Sequence, residues 1–394
     1  MAPEMVDVPK KMGASKTFSV ADTVSVMSRR ENDKWGVFDE DWGFRIHDIP
    51  EEFRTDEKYQ NFLLAKKEEK EHKIILESKP YNIVIEPTNV CNLQCPLCST
   101  GIGAKTRDKG VLDLENFKKM IDQIKDSCLQ LSLQNWGEAT LVEDLPDMIK
   151  YAAENKIFTR LSTNFSLKYK DDYIEKLAKS GLGKIVIDLD GTTQEVYQKY
   201  RINGNLETVL TNTKDLTRIK KENKLEFPII QTRMLVMKHN EHQIDEFKKI
   251  SREMKVDEIE LGNIQLNPNT AKDKWLPNNP EFVYATYRGE ENIQPCHWPW
   301  SGLTVNWDGG ISPCCVIDDQ DTDFGNIFKD NLSKIWNNEY YVSARSVFSD
   351  TKKITKNTIC NICRNDTHNP NLFRVGDTFS ITTKPDVDFR NNKQ

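Results

Sequence analysis

EPTNVCNLQCPLCSTG, residues 86–101, sets Cys91, Cys95 and Cys98 within one short loop. The residues just before it, YNIVI, are apolar and read as a β-strand, so the thiols follow a strand end. A structural zinc site or an ordinary iron–sulfur cluster takes four protein ligands, and this loop offers three. Three grouped thiolates would leave one iron of a [4Fe–4S] cube without a protein ligand. Catalytic metal sites keep such an open position for the reacting partner.

Downstream of the loop, helical and strand-like stretches alternate. LDLENFKKMIDQIK places Leu114, Phe117, Ile121 and Ile124 on one helical face. LQLSLQNW, IFTRLSTN, KIVIDLDG, FPIIQTRMLVMK and VDEIELGNI read as strands, with amphipathic helices between them. Together with the first strand these make six β-then-α units, which predict parallel strands joined by right-handed crossovers. The expected fold is α/β, a partial (βα)6 TIM-like barrel, whose chemistry belongs at the C-terminal strand ends. The cysteine loop lies there.

The chain has 394 residues, with 55 Lys+Arg against 61 Asp+Glu and a net charge of −6, a balance that argues against nucleic acid as partner. No apolar run is long enough to cross a membrane, and the first residues lack the apolar core of a secretory signal. A cytoplasmic protein with no membrane partner is expected. In that reducing compartment its nine cysteines read as ligands, core thiols or catalytic groups. They form an early group, the solitary Cys128, and a late group of Cys296, Cys314, Cys315, Cys360 and Cys363.

These features divide the chain into five parts. Residues 1–79 form a polar, helical extension that reads as a cap on the main domain; residues 80–264 form the barrel. Residues 265–295 are a turn-rich linker, residues 296–368 carry the second cysteine group, and residues 369–394 are a polar tail. Within the fourth part, LTVNWDGGISPCC predicts a hairpin turning on Asp308, Gly309 and Gly310, and NLSKIWNNEYYVSARSVFS a following helix.

The Cx3CxxC spacing, with Leu97 before Cys98, resembles the signature of the radical S-adenosylmethionine (radical SAM) superfamily. The resemblance implies a [4Fe–4S] cluster on Cys91, Cys95 and Cys98 whose free iron binds S-adenosylmethionine. Reductive cleavage would then give a 5′-deoxyadenosyl radical that removes a substrate hydrogen. It also nominates cofactor contacts: Gly137 and Glu138 in NWGEATL, Ser162 and Asn164 in LSTN, and Arg233 in QTRML. Glu138 and the adjacent backbone would accept from the cofactor's ammonium. The IVIDLDGTT stretch followed by Tyr200 and Arg201 resembles the family's fourth-strand segment, with Asp188 in place of the usual Ser.

The late group resembles the SPASM/twitch auxiliary-cluster subdomain. Cys296, Cys314, Cys360 and Cys363 would complete a second [4Fe–4S] cluster, and a zinc ribbon is the rival reading of the same four thiols. Cys315 is a packed thiol, an alternative ligand or the candidate catalytic donor. Trp298, Trp300, Trp307 and Trp336 read as a small core around this cluster.

Three functions are carried forward. The leading one is a radical SAM oxidoreductase that dehydrogenates or epimerises a small alcohol or sugar, aided by the auxiliary cluster. The alternative is a peptide maturase forming a crosslink, an epimer or an oxidised residue. The non-enzyme reading is an iron–sulfur electron carrier or a zinc-stabilised interaction protein. An electron donor such as flavodoxin or ferredoxin is implied for either enzyme. The charged, irregular residues 1–79 tilt the choice toward the small molecule, because peptide maturases often carry a compact winged domain there.

Overall fold

The computed structural model describes residues 25–26, 44, 46–104, 107–170, 172–266, 271–283, 296–317, 319–349 and 354–365. The expected tail at 369–394, most of residues 1–43 and parts of the linker lie outside the described residues.

A parallel barrel sheet is built from β2 (Asn82–Ile85), β3 (Gln130–Leu133), β4 (Phe158–Thr163), β5 (Lys184–Asp188), β6 (Ile229–Val236) and β7 (Glu258–Asn263), paired in sequence order. The two-residue β1 (Ser25–Val26) pairs parallel to β7 at one edge. At the other edge β8 (Gly302–Val305) pairs parallel to β2 and forms an antiparallel hairpin with β9 (Ile311–Ser312). The hairpin turns at Gly309, whose φ of 80° suits glycine. The sheet thus runs from the barrel into the second module without a break.

Between the strands lie α2 (Leu114–Ile124), α3 (Leu145–Glu154), α4 (Tyr173–Lys179), α5 (Gln194–Tyr200), α6 (Leu206–Glu222) and α7 (Ile244–Glu253). In α2 the side chain of Asp113 accepts from the Asn116 N–H, and Phe117, Met120, Ile121 and Ile124 are buried. Each such side chain contributes roughly 1.5–3 kcal/mol on burial. Alternate strand residues, Ile85, Leu133, Leu161, Ile187 and Met234 among them, join this helix-facing core. The intervening positions put Ser162, Asp188, Arg233 and Glu260 on the concave face.

Helix α1 (Asp56–Lys70) belongs to the opposite end of the barrel. Phe44, Ile46, Phe53 and Phe62 pack with Tyr81, Leu129 and Phe158, which lie where β2, β3 and β4 begin. The described part of the N-terminal extension therefore closes the end of the barrel away from the cysteine loop.

The short α8 (Lys272–Trp275) and α9 (Trp298–Ser301) precede β8, and α10 (Leu332–Ile335), α11 (Glu339–Phe348) and α12 (Ile359–Asn365) follow β9. One reading of the sequence needs correction here. The single helix expected at 331–349 breaks between α10 and α11. Asn338 causes the break: its side-chain carbonyl accepts from the Tyr340 and Tyr341 N–H groups and starts a new helix. Helix α5 is a short addition between β5 and α6, its seven residues spanning barely two turns.

Candidate functional site

The cysteine loop leaves the end of β2 and folds back on itself. The Cys98 N–H donates to the Cys95 carbonyl at 3.1 Å, and the Ile102 N–H to that of Cys98 at 3.0 Å. Leu93, Cys95, Tyr200, Met237, Ile264 and Trp275 form an apolar floor, against which Cys91, Leu97 and Cys98 pack. Burial pushes the Cys91 thiol up to about 11 and the Cys95 thiol up to about 12, and each thiol's neighbours among the three raise it further. Thiols in such a setting bind metal only by giving up a proton.

Polar groups point back at these sulfurs. The Leu93 N–H donates to Cys91 Sγ at 3.4 Å, and the Asn164 amide lies 3.9 Å from it while donating to Asn92 Oδ1 at 2.9 Å. The Arg201 guanidinium lies 4.0 Å from Cys95 Sγ. Arg201 is held by Asp190 at 2.6 Å and Asp188 at 3.1 Å. Asp190 is itself fully buried and accepts from the Leu235 N–H at 2.7 Å. Sequence reading had noted Arg201 only within its motif and had missed Asp190, whose partner lies across a helix.

Arg233 extends the same network across the concave face. It donates to Asp188 Oδ1 at 2.7 and 2.9 Å and to Ser162 Oγ at 3.0 Å. Asp188 thus bridges two arginines, and with Asp190 it matches their charge.

The other nominated residues sit beside this network. Gly137 meets the cysteine loop where no side chain fits, because a Cβ there would lie 1.9 Å from the Thr88 carbonyl oxygen. Glu138 follows it, and its carboxylate turns inward. Its Oε1 accepts from the Thr140 and Thr163 hydroxyls at 2.6 and 2.7 Å, and its Oε2 from the Asn164 N–H at 2.8 Å. Glu138 therefore ties the end of β3 to the end of β4.

The second cysteine group gathers from three elements. Cys296 lies just before α9, Cys314 and Cys315 follow β9, and Cys360 and Cys363 lie on α12. The thiols of Cys360 and Cys363 act electrostatically on Cys314, and those of Cys296 and Cys363 on Cys360. Burial also pushes Cys315 up to about 12. All nine cysteines are free of disulfides. Trp298, Trp300 and Trp336 are buried as expected, whereas Trp307 is half-buried and lies against Gly110.

The two sites are joined by Arg107, in the loop after the first cysteines. It pairs at 2.6 Å with both Asp308, in the hairpin turn, and Asp323 beyond it. The Trp307 indole N–H donates to the Asp108 carbonyl at 2.9 Å alongside.

The Radical SAM superfamily profile matches residues 85–250, and that of the SPASM iron–sulfur cluster-binding domain matches residues 296–364. This chain belongs to the radical SAM superfamily and carries a C-terminal SPASM domain. Its cofactors are a [4Fe–4S] cluster with S-adenosylmethionine and an auxiliary cluster. By their chemistry, three thiols of one loop packed against an apolar floor suit the first, and four half-buried cysteines drawn from three elements suit the second.

The chain is 25% identical to the PqqA peptide cyclase of Bradyrhizobium diazoefficiens over 187 residues, 47% of either chain. It is 25% identical to the mycofactocin maturase MftC of Mycobacterium tuberculosis over 172 residues, covering 44% of this chain and 42% of MftC. The chain spans about half the length of the curated relatives it matches. Streptococcus suis SuiB bound to S-adenosylmethionine shares the fold, with a TM-score of 0.58, 20% identity and 81% of each chain covered. Among the described residues no helix is long and apolar enough to cross a membrane.

Proposed function

We propose that this chain modifies a peptide substrate by radical SAM chemistry, as a maturase. The sequence reading led with a small alcohol or sugar. The observation that moves the choice is the pair of relatives named for a peptide cyclase and a maturase. The tilt toward a small molecule rested on residues 1–79, about half of which lie outside the described residues.

When bound, the cluster and S-adenosylmethionine supply the radical that removes a substrate hydrogen. The chain's own residues prepare the site for that chemistry. Arg201, the Leu93 N–H and the Asn164 amide offer positive charge and hydrogen bonds to the ligating sulfurs, which steady the thiolates. Gly137 lets the strand-end backbone approach the cysteine loop. With the Glu138 carboxylate occupied, we assign the contact to the cofactor's ammonium to that backbone alone. Arg233 and Ser162 face the concave side, where an extended peptide would find both a cation and a hydroxyl. An electron donor of the flavodoxin or ferredoxin type completes the scheme.

The test is anaerobic reconstitution with S-adenosylmethionine, a reductant and candidate precursor peptides encoded beside the gene. A peptide mass change that requires S-adenosylmethionine is expected, with deuterium from a labelled peptide appearing in 5′-deoxyadenosine. Transfer of deuterium only from labelled alcohols or sugars would overturn the peptide reading and restore the first. Cys91→Ala should abolish cofactor cleavage. Cys360→Ala should remove about one cluster of iron and spare uncoupled cleavage.

A further inference from the structure

Gln231 alternates along β6 with the helix-facing Ile230 and so turns to the concave face, where only 4% of it is exposed. Its amide nitrogen donates to Glu260 Oε2 on the neighbouring β7. A carboxylate only accepts, so the nitrogen must face Glu260 and the amide oxygen is the atom left over. That oxygen is buried and has no hydrogen-bond partner among the described residues. A buried acceptor left unsatisfied costs stability, so its retention asks for a donor.

Glu260 lacks a counter-charge as well. The other acids around it are matched: Asp188 by Arg233, Asp190 by Arg201 and Glu258 by Lys184. Arg233 is the register partner of Glu260, yet it turns away to Asp188 and Ser162. Arg160 and Lys184 face the same side four residues nearer the strand starts. Among the described residues no cation forms an ion pair with Glu260. Two residues further along β7, Gly262 leaves a notch beside the carboxylate. The first atoms a Cβ there would meet are Leu235 Cδ2 at 3.0 Å, Arg233 Cδ at 3.7 Å and Glu260 Oε1 at 3.9 Å. Hydrocarbon walls with an anionic end complement a methylene stem that carries a cation. Leu235 also packs against the apolar floor of the cysteine loop, which sets the notch beside the first site.

We propose that Glu260, the Gln231 amide oxygen and the Gly262 notch form a subsite for a lysine or arginine side chain of the substrate. The proposal rests on the peptide reading above and adds which residue the enzyme selects. An ammonium or guanidinium brings enough N–H donors for both the carboxylate and the unpartnered amide oxygen. The anchored residue would sit level with Asp188, which pairs with the Arg201 that lies 4.0 Å from Cys95 Sγ.

The experiment immobilises the full chain, reconstituted anaerobically with S-adenosylmethionine, and offers it a random decapeptide library. Retained peptides are sequenced by mass spectrometry, and the best are resynthesised with norleucine for lysine or citrulline for arginine. Lysine or arginine should be enriched, and the neutral swaps should weaken binding about tenfold or more. Glu260→Gln keeps an acceptor for the Gln231 amide and removes the charge, so the same swaps should cost that variant less than about twofold. Retained peptides without this enrichment, or swaps that cost both proteins equally, would overturn the subsite and leave the peptide reading standing. Retention of no peptide by the unaltered chain would overturn the peptide reading, and the subsite with it.

Discussion

Cys95 and His239 show how burial sets the chemistry of single residues. The Cys95 thiol is driven up by desolvation, and the Arg201 cation beside it opposes that shift. His239 is driven the other way. Its imidazole packs edge-on against Trp275 at 5.7 Å, its buried Nε2 has no hydrogen-bond partner among the described residues, and desolvation lowers it from 6.5 to about 4. Between those values the unfolded chain takes up a proton that the folded chain refuses. The stability His239 permits is therefore complete above pH 6.5 and is lost as the pH falls toward 4. His239→Gln should flatten this acid limb, read from denaturant midpoints at pH 7 and pH 4.5. Parallel losses in the two proteins would show that His239 is not responsible.

At the level of elements, the ends of β2, β3 and β4 are locked together before any cofactor arrives. Gly137 is where the lock is tightest, since every atom a Cβ would meet first belongs to the backbone of Thr88 and Asn89. Gly137→Ala must displace the cysteine loop, because backbone cannot rotate aside as a side chain can. We expect a cost of about 1–3 kcal/mol or more. Iron should be lost from the first site and kept at the second. Full iron at both sites would mean that the loop tolerates the shift. Glu138 makes the complementary point: its carboxylate accepts from Thr140, Thr163 and Asn164 and so ties two strand ends together.

For the whole molecule, the question is how two cluster domains hold one geometry. Strand β8 continues the barrel sheet beside β2, so the hairpin and the first cysteine loop share an edge. Arg107 clamps that edge through Asp308 and Asp323, all three largely removed from water. Arg107→Met would leave two carboxylates without their cation. The expected loss is about 3–5 kcal/mol, measured by denaturant unfolding, together with faster proteolysis of residues 296–365. A change within about 0.5 kcal/mol would mean that the strand pairing alone holds the modules.

The six parallel strands, the helices between them and both cysteine groups were legible from residue pattern alone. Strand and helix periodicity are local, and ligand spacing on one loop is local too. From CNLQCPLC alone an open, three-thiol site was legible. What surrounds those thiols comes from contacts between distant segments. Arg201 reaches Cys95 from more than 100 residues away, Asp190 anchors it from a strand end, and Arg107 spans about 200 residues to its partners. Such contacts leave no periodic trace, because they depend on where strand ends and loops meet in space.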